Sequence, residues 1–342
     1  MLFGPAFAAA TAGKAAAARR MHRLVAWPAG VDGTVPLGII VAAGVIAFLC
    51  QDFPAYLPVW APWDFSWLEF LAVALGAWWY ARGVALTPAA ARPSVARRLS
   101  FVAGTALIYT VLQTHFDYMA QHMFFLNRLQ HLAMHHLGPF LIALAWPGAA
   151  IRRGMPEPLH RLVDDPLLAR VLHVIQRPVI AGAVFVGLID LWLIPAVNFK
   201  AMLDPRLYAV MNWSMVVDGL LFWCLVLDPR PSPPARASFA ARMITIVAVM
   251  FPQIMLGSYL TFTNRDLYSF YDLCGRLYPT VSALNDQHIG GIIVWIPASM
   301  MSSAAFMLTL NHIRIVEDSV PPKAMTEEER RMAAAARRWT GR

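Results

Sequence analysis

Eight mostly apolar stretches recur along the 342-residue chain. An α-helix of about 20 such residues crosses the hydrocarbon core of a bilayer. With 58% hydrophobic and only 14% charged residues, the composition is that of a polytopic membrane protein rather than of a soluble domain. The stretches are 35–51, 66–86, 99–114, 120–146, 178–196, 207–227, 239–262 and 288–312. The sequence therefore predicts an all-α transmembrane bundle of about eight spans, with seven as the minimal alternative.

The distribution of lysine and arginine predicts how these spans are oriented. If the N-terminus is cytoplasmic and charges at the helix edges are counted with their nearest loop, 23 of the 28 basic residues are on the inner side, four are in outer loops, and Arg128 lies within a span. Cytoplasmic loops of membrane proteins carry this excess of positive charge. We therefore expect a cytoplasmic segment over 1–34, a transmembrane domain over 35–312 and a basic cytoplasmic tail over 313–342. The net charge of +8 then reflects orientation, and we expect no nucleic-acid partner.

Five of the ten histidines lie between His115 and His136, at the edge of the fourth stretch and inside it. Ionisable side chains within a span are costly and usually face the interior of the bundle. Asn127, His131 and His135 recur every four residues, so a regular helix places them on one face. The same helix turns His136 about 100° away from His135. The spacing predicts a buried polar stripe with His136 to one side.

The charged residues inside the spans need partners, because an unpaired charge in hydrocarbon is unfavourable. Depth along the predicted helices pairs Arg128 with Asp190 of the fifth stretch. It likewise pairs His131 or His135 with Asp218 of the sixth. The alternative is that Arg128, Asp190 and Asp218 are polar contacts that only hold the helices together.

Imidazole and thioether side chains gather near the predicted outer ends of the spans. Histidine with methionine or a carboxylate suits copper, methionine favours Cu(I), and neutral imidazole also suits zinc. The candidate metal ligands are His115, His122, Met123, His131, His135 and His288. The candidate supporting polar residues are Asp117, Asn127, Arg128, Asp190, Asp218, Asp286 and Gln287. For each histidine the alternative is a hydrogen-bonded residue of the bundle.

Two motifs carry a family resemblance. The runs QHLAMHHLGPFLIALAWP (130–147) and ALNDQHIGGIIVWIPAS (283–299) resemble the cytochrome c oxidase assembly factor family CtaG. LWLIPAV, LLFWCLVLDPRP and LGSYLTF follow in the expected order between them, so the resemblance covers about 100–312. It implies an integral membrane assembly factor for haem–copper oxidases, associated with copper delivery and not an enzyme. The implied partners are cytochrome c oxidase subunits, a soluble copper chaperone and the lipid bilayer. The implied location is the inner membrane of a bacterial cell.

Residue by residue, the resemblance points to Asp117, His131, Asp286 and Gln287. Three polar positions of the family are altered here. Asn127 replaces a histidine, Leu193 replaces the histidine of a W-H-x-P motif, and Met211-Asn212 replace a Glu-His pair. Either the metal site is rebuilt from neighbouring residues, or metal binding is weaker in this branch. The neighbours that could rebuild it are His115, His122, His135, His288 and Asp218.

Two other functions remain as alternatives. A proton- or metal-coupled transporter could use Asp190, Asp218, Arg128 and His131 as a relay. A b-type haem redox protein needs two histidines at like depth on facing helices, and His131 has no such counterpart in another span.

Overall fold

The computed structural model of the protein describes residues 31–62 and 64–319. These residues form helices and contain no β-strand, as the sequence predicted. The helices are α1 (Val31–Asp52), α2 (Trp67–Ala85), α3 (Val95–Gln113), α4 (His115–Ala120), α5 (Phe124–His131), α6 (Gly138–Ala145), α7 (Gly148–Gly154), α8 (Glu157–Val163), α9 (Pro166–Ile175), α10 (Pro178–Leu193), α11 (Pro195–Leu203), α12 (Pro205–Val226), α13 (Phe239–Phe262) and α14 (Ala283–Ser319). Leu132–Leu137, between α5 and α6, form a π-helical turn that we call the π segment. Most of the predicted N-terminal segment and basic tail lies outside the described residues.

Several helices are long and apolar enough to cross a membrane. They are α1, α3, α12, α13 and α14, and the pair α9–α10 adds a sixth candidate although its two axes meet at 77°. The predicted second stretch corresponds to α2, and the fourth to the helical run 124–145. The chain is therefore a multi-pass membrane protein, and the total of eight crossings stays a prediction.

Apolar side chains are exposed along these helices as well as buried between them. In α1, Leu37 and Val41 are 61% and 57% exposed, and in α13 Met255 is 73% exposed. Lipid tails are as apolar as a leucine side chain, so a spanning helix gains little by hiding such residues. The core instead lies where α3, α5, α6, α10, α12, α13 and α14 meet.

Contacts between distant parts of the chain define two ends of the bundle. At one end, Gln113 Nε2 donates to Glu69 Oε2 (3.0 Å), joining the end of α3 to the start of α2. At the opposite end, Arg82 Nη1 donates to the Gly154 carbonyl (2.8 Å). We call the first the Asp117 end. It contains the connecting segments 53–66, 114–123, 194–204 and 263–282, which include α4 and α11. The second is the Asp228 end. It contains the connecting segments 86–94, 146–177 and 227–238, which include α7, α8 and α9. The Asp117 end is the one that the charge pattern predicts to face outward.

Candidate functional site

Pro139 creates the π segment inside the histidine-rich helix. Proline has no amide hydrogen, so it cannot donate to the carbonyl four residues earlier, which belongs to His135. The Gly138 amide donates instead to the Ala133 carbonyl, five residues back. The freed His135 carbonyl accepts from the indole nitrogen of Trp223 on α12 (3.2 Å). Wide turns of this kind are frequent at functional sites.

The close approach of α12 to the π segment requires a glycine. A Cβ at Gly219 would lie 2.3 Å from the His135 carbonyl oxygen, well inside van der Waals contact. Small residues at such positions let helix backbones pack closely in membranes. Gly219 therefore sets the depth at which Asp218, beside it, meets the histidines.

A chain of hydrogen bonds links α12, the π segment and α13. His135 Nε2 lies 3.0 Å from Asp218 Oδ2, His135 Nδ1 lies 3.2 Å from His136 Nδ1, and His136 Nε2 lies 3.1 Å from Gln253 Oε1. All four side chains are buried. We call these four residues the histidine chain. Of the two partners predicted for Asp218, His131 and His135, the structure shows His135.

Two arrangements of the protons satisfy all three hydrogen bonds of the histidine chain. A neutral imidazole donates from one ring nitrogen and accepts at the other. With Gln253 Oε1 accepting, each imidazole donates away from Asp218, and Asp218 must carry the proton that His135 accepts. With the Gln253 amide turned over, every bond reverses, and an ionised Asp218 accepts from His135. The two arrangements differ by one proton overall, because Asp218 is neutral in the first and ionised in the second.

Two predictions about this helix are wrong. His136 does not point to one side: the π segment widens the turn, so His136 is buried in the chain with His135.

Arg128 does not pair with Asp190, whose side chain is exposed on α10. Arg128 donates instead to the Asn127 side chain and lies over the ring of Phe124, 5.1 Å from its centroid. Among the ion pairs of the described residues, none includes Arg128.

A small cavity adjoins the histidine chain, and we call it the His131 cavity. His131, His136 and Met215 line it together with Arg128 and apolar residues of α10 and α14. It holds about 20 Å³, which is room for about one water molecule. His131 Nε2 is buried and has no hydrogen-bond partner among the described residues. Such an atom is costly to leave unpaired, so this nitrogen is available to a ligand.

The predicted ligands at the Asp117 end lie apart from this cavity. His122 Nδ1 is 2.8 Å from the Tyr118 carbonyl, and His288 Nε2 is 2.9 Å from the Thr263 carbonyl. His115 lies beside the Tyr118 ring, with 5.1 Å between ring centroids. The Met123 side chain is fully buried at the start of α5. Within the part of the chain that the structure describes, no three His, Cys, Asp or Glu residues form a group that could hold a metal ion. The role of these residues in metal binding stays a prediction.

Asp286 and Gln287 hold the Asp117 end together. Asp286 accepts the backbone amides of Phe124 (3.0 Å) and Phe125 (2.7 Å) at the start of α5, and it pairs with Arg276 Nη1 (2.7 Å). A carboxylate satisfies the free amides at a helix N-terminus and complements its dipole. Gln287 fixes the 263–282 loop, accepting the Leu267 amide at 2.8 Å. Asp286 thus anchors the helix that carries His131.

Asp117 lies in a polar cluster on the short helix α4. Its carboxylate accepts from Tyr208 Oη (2.7 Å), Gln130 Nε2 (2.6 Å) and Gln121 Nε2 (3.0 Å). Burial raises the pKa of the Asp117 carboxyl to about 6, and these three hydrogen bonds partly oppose that shift. The cluster joins α4 and α5 to the start of α12.

A family model described as cytochrome c oxidase caa3 assembly factor (Caa3_CtaG) matches residues 78–314 of the chain. The chain belongs to the Caa3_CtaG family. The match contains the whole histidine chain, the His131 cavity and the Asp286-Gln287 pair, and it extends further towards the N-terminus than the predicted 100–312. The chain matches no curated protein and no solved structure.

Several residues of the site were missed by sequence reasoning. Met215 lies one helical turn before Asp218, so its position on the same face of α12 was readable. Pro139, four residues after His135, is the recognisable signal for the altered turn. Nothing in the sequence around Gln253 distinguishes it from other polar residues of the spans, because only helix packing brings α13 against His136.

Proposed function

We propose that this member of the Caa3_CtaG family assists assembly of a caa3-type cytochrome c oxidase by holding copper in transit within the bundle. One observation carries the copper part of the proposal. His131 Nε2, buried and unpartnered among the described residues, borders a cavity of about 20 Å³ that it shares with His136 and Met215. Family membership supports the assembly part.

The donor types suit Cu(I). Thioether sulfur selects Cu(I) among the common metal ions, and imidazole binds copper well. Imidazole must be neutral to coordinate a metal. The His131 imidazole and the Met215 thioether would supply two donors, and the space admits an ion in place of one water. His136 would add a third donor by giving up one of its two hydrogen bonds in the histidine chain. A set of this kind contains only two residues of the types His, Cys, Asp and Glu, which is compatible with the absence of a group of three in the described residues.

Arg128 places a positive charge beside the proposed copper site. Its side chain is buried and lines the same cavity as His131. A positive charge held in a poorly solvated place repels a second cation nearby. We therefore expect weak, exchangeable copper, which suits a protein that passes the ion on rather than one that keeps it.

The topology and the partners complete the proposal. We infer eight crossings with both termini in the cytoplasm of a bacterial cell, because α2 and the run 124–145 pack among the helices that qualify as spans. Oxidase subunits are the proposed partners, with a soluble copper chaperone as the proposed donor. We expect the protein to act by binding and not by catalysis.

The histidine chain favours one second candidate, a proton-coupled transporter. Its four members link α12 to α13 through continuous hydrogen bonds and have two consistent proton arrangements. Proton or metal flux in proteoliposomes that disappears in Asp218→Asn would support transport over copper transfer. A haem protein is disfavoured, because cofactor pockets hold about 300 Å³ or more, whereas the His131 cavity holds about 20 Å³.

The proposal is tested by deleting the gene and measuring the copper content and activity of the purified oxidase under copper limitation. We expect oxidase that is deficient in copper, with recovery when copper is added in excess. Complementation with the wild type should restore it, whereas the double variant His131→Ala/Met215→Leu should not. Normal oxidase in the deletion strain would contradict an assembly role. Full rescue by the double variant would contradict the copper site while leaving the assembly role intact.

A further inference from the structure

A second cavity opens at the Asp117 end, between α2, α4, α11 and α12. It holds about 310 Å³, and its polar lining differs from the apolar surroundings of the His131 cavity. We call it the Asp117 cavity. Its polar lining includes Asp64, Glu69, Asp117, Gln121, Tyr208 and Asn212.

Two of these residues are buried carboxylates without a positive partner. Glu69 is 7% exposed and accepts from Gln113 Nε2, and Asp117 is 8% exposed and accepts only from neutral donors. Asp64 adds a third carboxylate at the cavity. No ion pair of the described residues includes any of the three, and no Lys, Arg or His lines the cavity. A buried carboxyl group without a cation beside it takes up a proton or binds a metal ion.

Asn212 supplies a separate observation. Its side chain is 3% exposed and lines the Asp117 cavity, and its Oδ1 atom has no hydrogen-bond partner among the described residues. A buried carbonyl oxygen left unpaired costs free energy. An unpaired oxygen acceptor that lines the same cavity as two carboxyl groups is an arrangement that a bound cation would satisfy.

We propose that the Asp117 cavity binds one hydrated divalent cation of the oxygen-preferring class, held by Glu69, Asp117 and Asn212. Ca²⁺ takes carboxylate, amide-carbonyl and water oxygens, and Mg²⁺ is commonly held by one or two carboxylates and several waters. The cavity leaves room for those waters. The site differs from the proposed copper site in place and in donor type, and it does not depend on copper handling.

The test is calcium titration of the full-length protein in nanodiscs of zwitterionic lipid, after removal of metals by a chelator. We expect one Ca²⁺ per chain with a dissociation constant on the order of 10⁻⁴–10⁻³ M, the range of exchangeable sites with few charged ligands. Glu69→Gln should weaken binding by about tenfold or more, because it removes one of two charged ligands. Mg²⁺ should compete with Ca²⁺ for the same site.

A substitution that should increase the affinity for calcium gives a sharper test than one that should decrease it. Asn212→Asp places a third charge where the unpaired oxygen lies, and we expect calcium binding about tenfold tighter. Asn285→Asp is the matched control, because it adds the same charge to an exposed position at the start of α14. Wild-type protein that binds no calcium would overturn the proposal. So would Asn212→Asp and Asn285→Asp variants of equal affinity. If Glu69→Gln fails to fold, the comparison of Asn212→Asp with Asn285→Asp still tests the proposal.

Discussion

The His131 cavity and the Asp117 cavity lie in one helix bundle but offer opposite chemistry. The first is small, deep between helices, and lined by imidazole and thioether groups beside the positive charge of Arg128. The second is larger, lies at the Asp117 end, and is lined by carboxylate, phenol and amide oxygens without a basic group. Soft and borderline donors favour copper, whereas oxygen donors favour calcium and magnesium. The bundle thus separates two sets of potential donor groups by depth.

The two cavities also differ in how the chain builds them. The His131 cavity depends on an interrupted helix, since Pro139 and Gly219 together let His136 and α12 reach the interior. The Asp117 cavity depends on helix ends, where α2 and α12 begin and α4 crosses between α3 and α5. Substitutions that restore regular helical geometry should therefore damage the first and spare the second.

The largest effect is expected for Gly219→Ala. The added Cβ would meet the His135 carbonyl oxygen at 2.3 Å, so α12 must move away from the π segment. Overpacking of this kind costs about 1–3 kcal/mol. We expect a lower thermal unfolding midpoint and loss of retained copper, with calcium affinity little changed. Gly187→Ala on α10 is the control, because its Cβ would meet nothing within 4 Å. Equal midpoints for the two variants would refute the close-packing account.

A smaller effect is expected for Pro139→Ala. The new amide hydrogen can donate to the His135 carbonyl and compete with Trp223, which favours a regular α-turn over the π segment. We expect His136 to lose its bond to Gln253 and retained copper to fall, while stability changes by about 1 kcal/mol in either direction. The measurements are copper per chain and the unfolding midpoint. An unchanged copper content would show that the proposed copper site does not depend on the π segment.

The smallest effect is expected for Arg152→Ala at the Asp228 end. Arg152 forms an ion pair with Asp164 at 2.6 Å, and both side chains are about half exposed to solvent. Exposed pairs contribute about 0–1 kcal/mol to stability. We expect the unfolding midpoint and both metal affinities to stay within error of the wild type. A clear loss of copper would mean that the Asp228 end takes part in the site.

Much of the fold could be predicted from the sequence, because lipid imposes length and apolarity on each span. Depth along the helices narrowed the partner of Asp218 to His131 or His135, and the structure selects His135. The inward position of His136 did not, since the spacing argument assumed an uninterrupted α-helix. Pro139 marks where that assumption fails.

The Asp117 cavity was harder to predict. Tyr208 contacts Asp117 from 91 residues away in the chain, and Glu69 comes from yet another helix. Periodicity tells which face of a helix is polar but not which helix it meets. Contacts of this kind depend on the packing order of the bundle, which the sequence alone left open.

The most direct test of the copper proposal is an equilibrium titration of the purified full-length protein with Cu(I) under reducing conditions. We predict about one copper bound per chain in the wild type, because the His131 cavity has space for a single ion. The His131→Ala/Met215→Leu variant should lose it, whereas the His115→Ala/His122→Ala/His288→Ala variant should keep it. Copper that persists in the first variant and disappears in the second would contradict the account and assign binding to the Asp117 end.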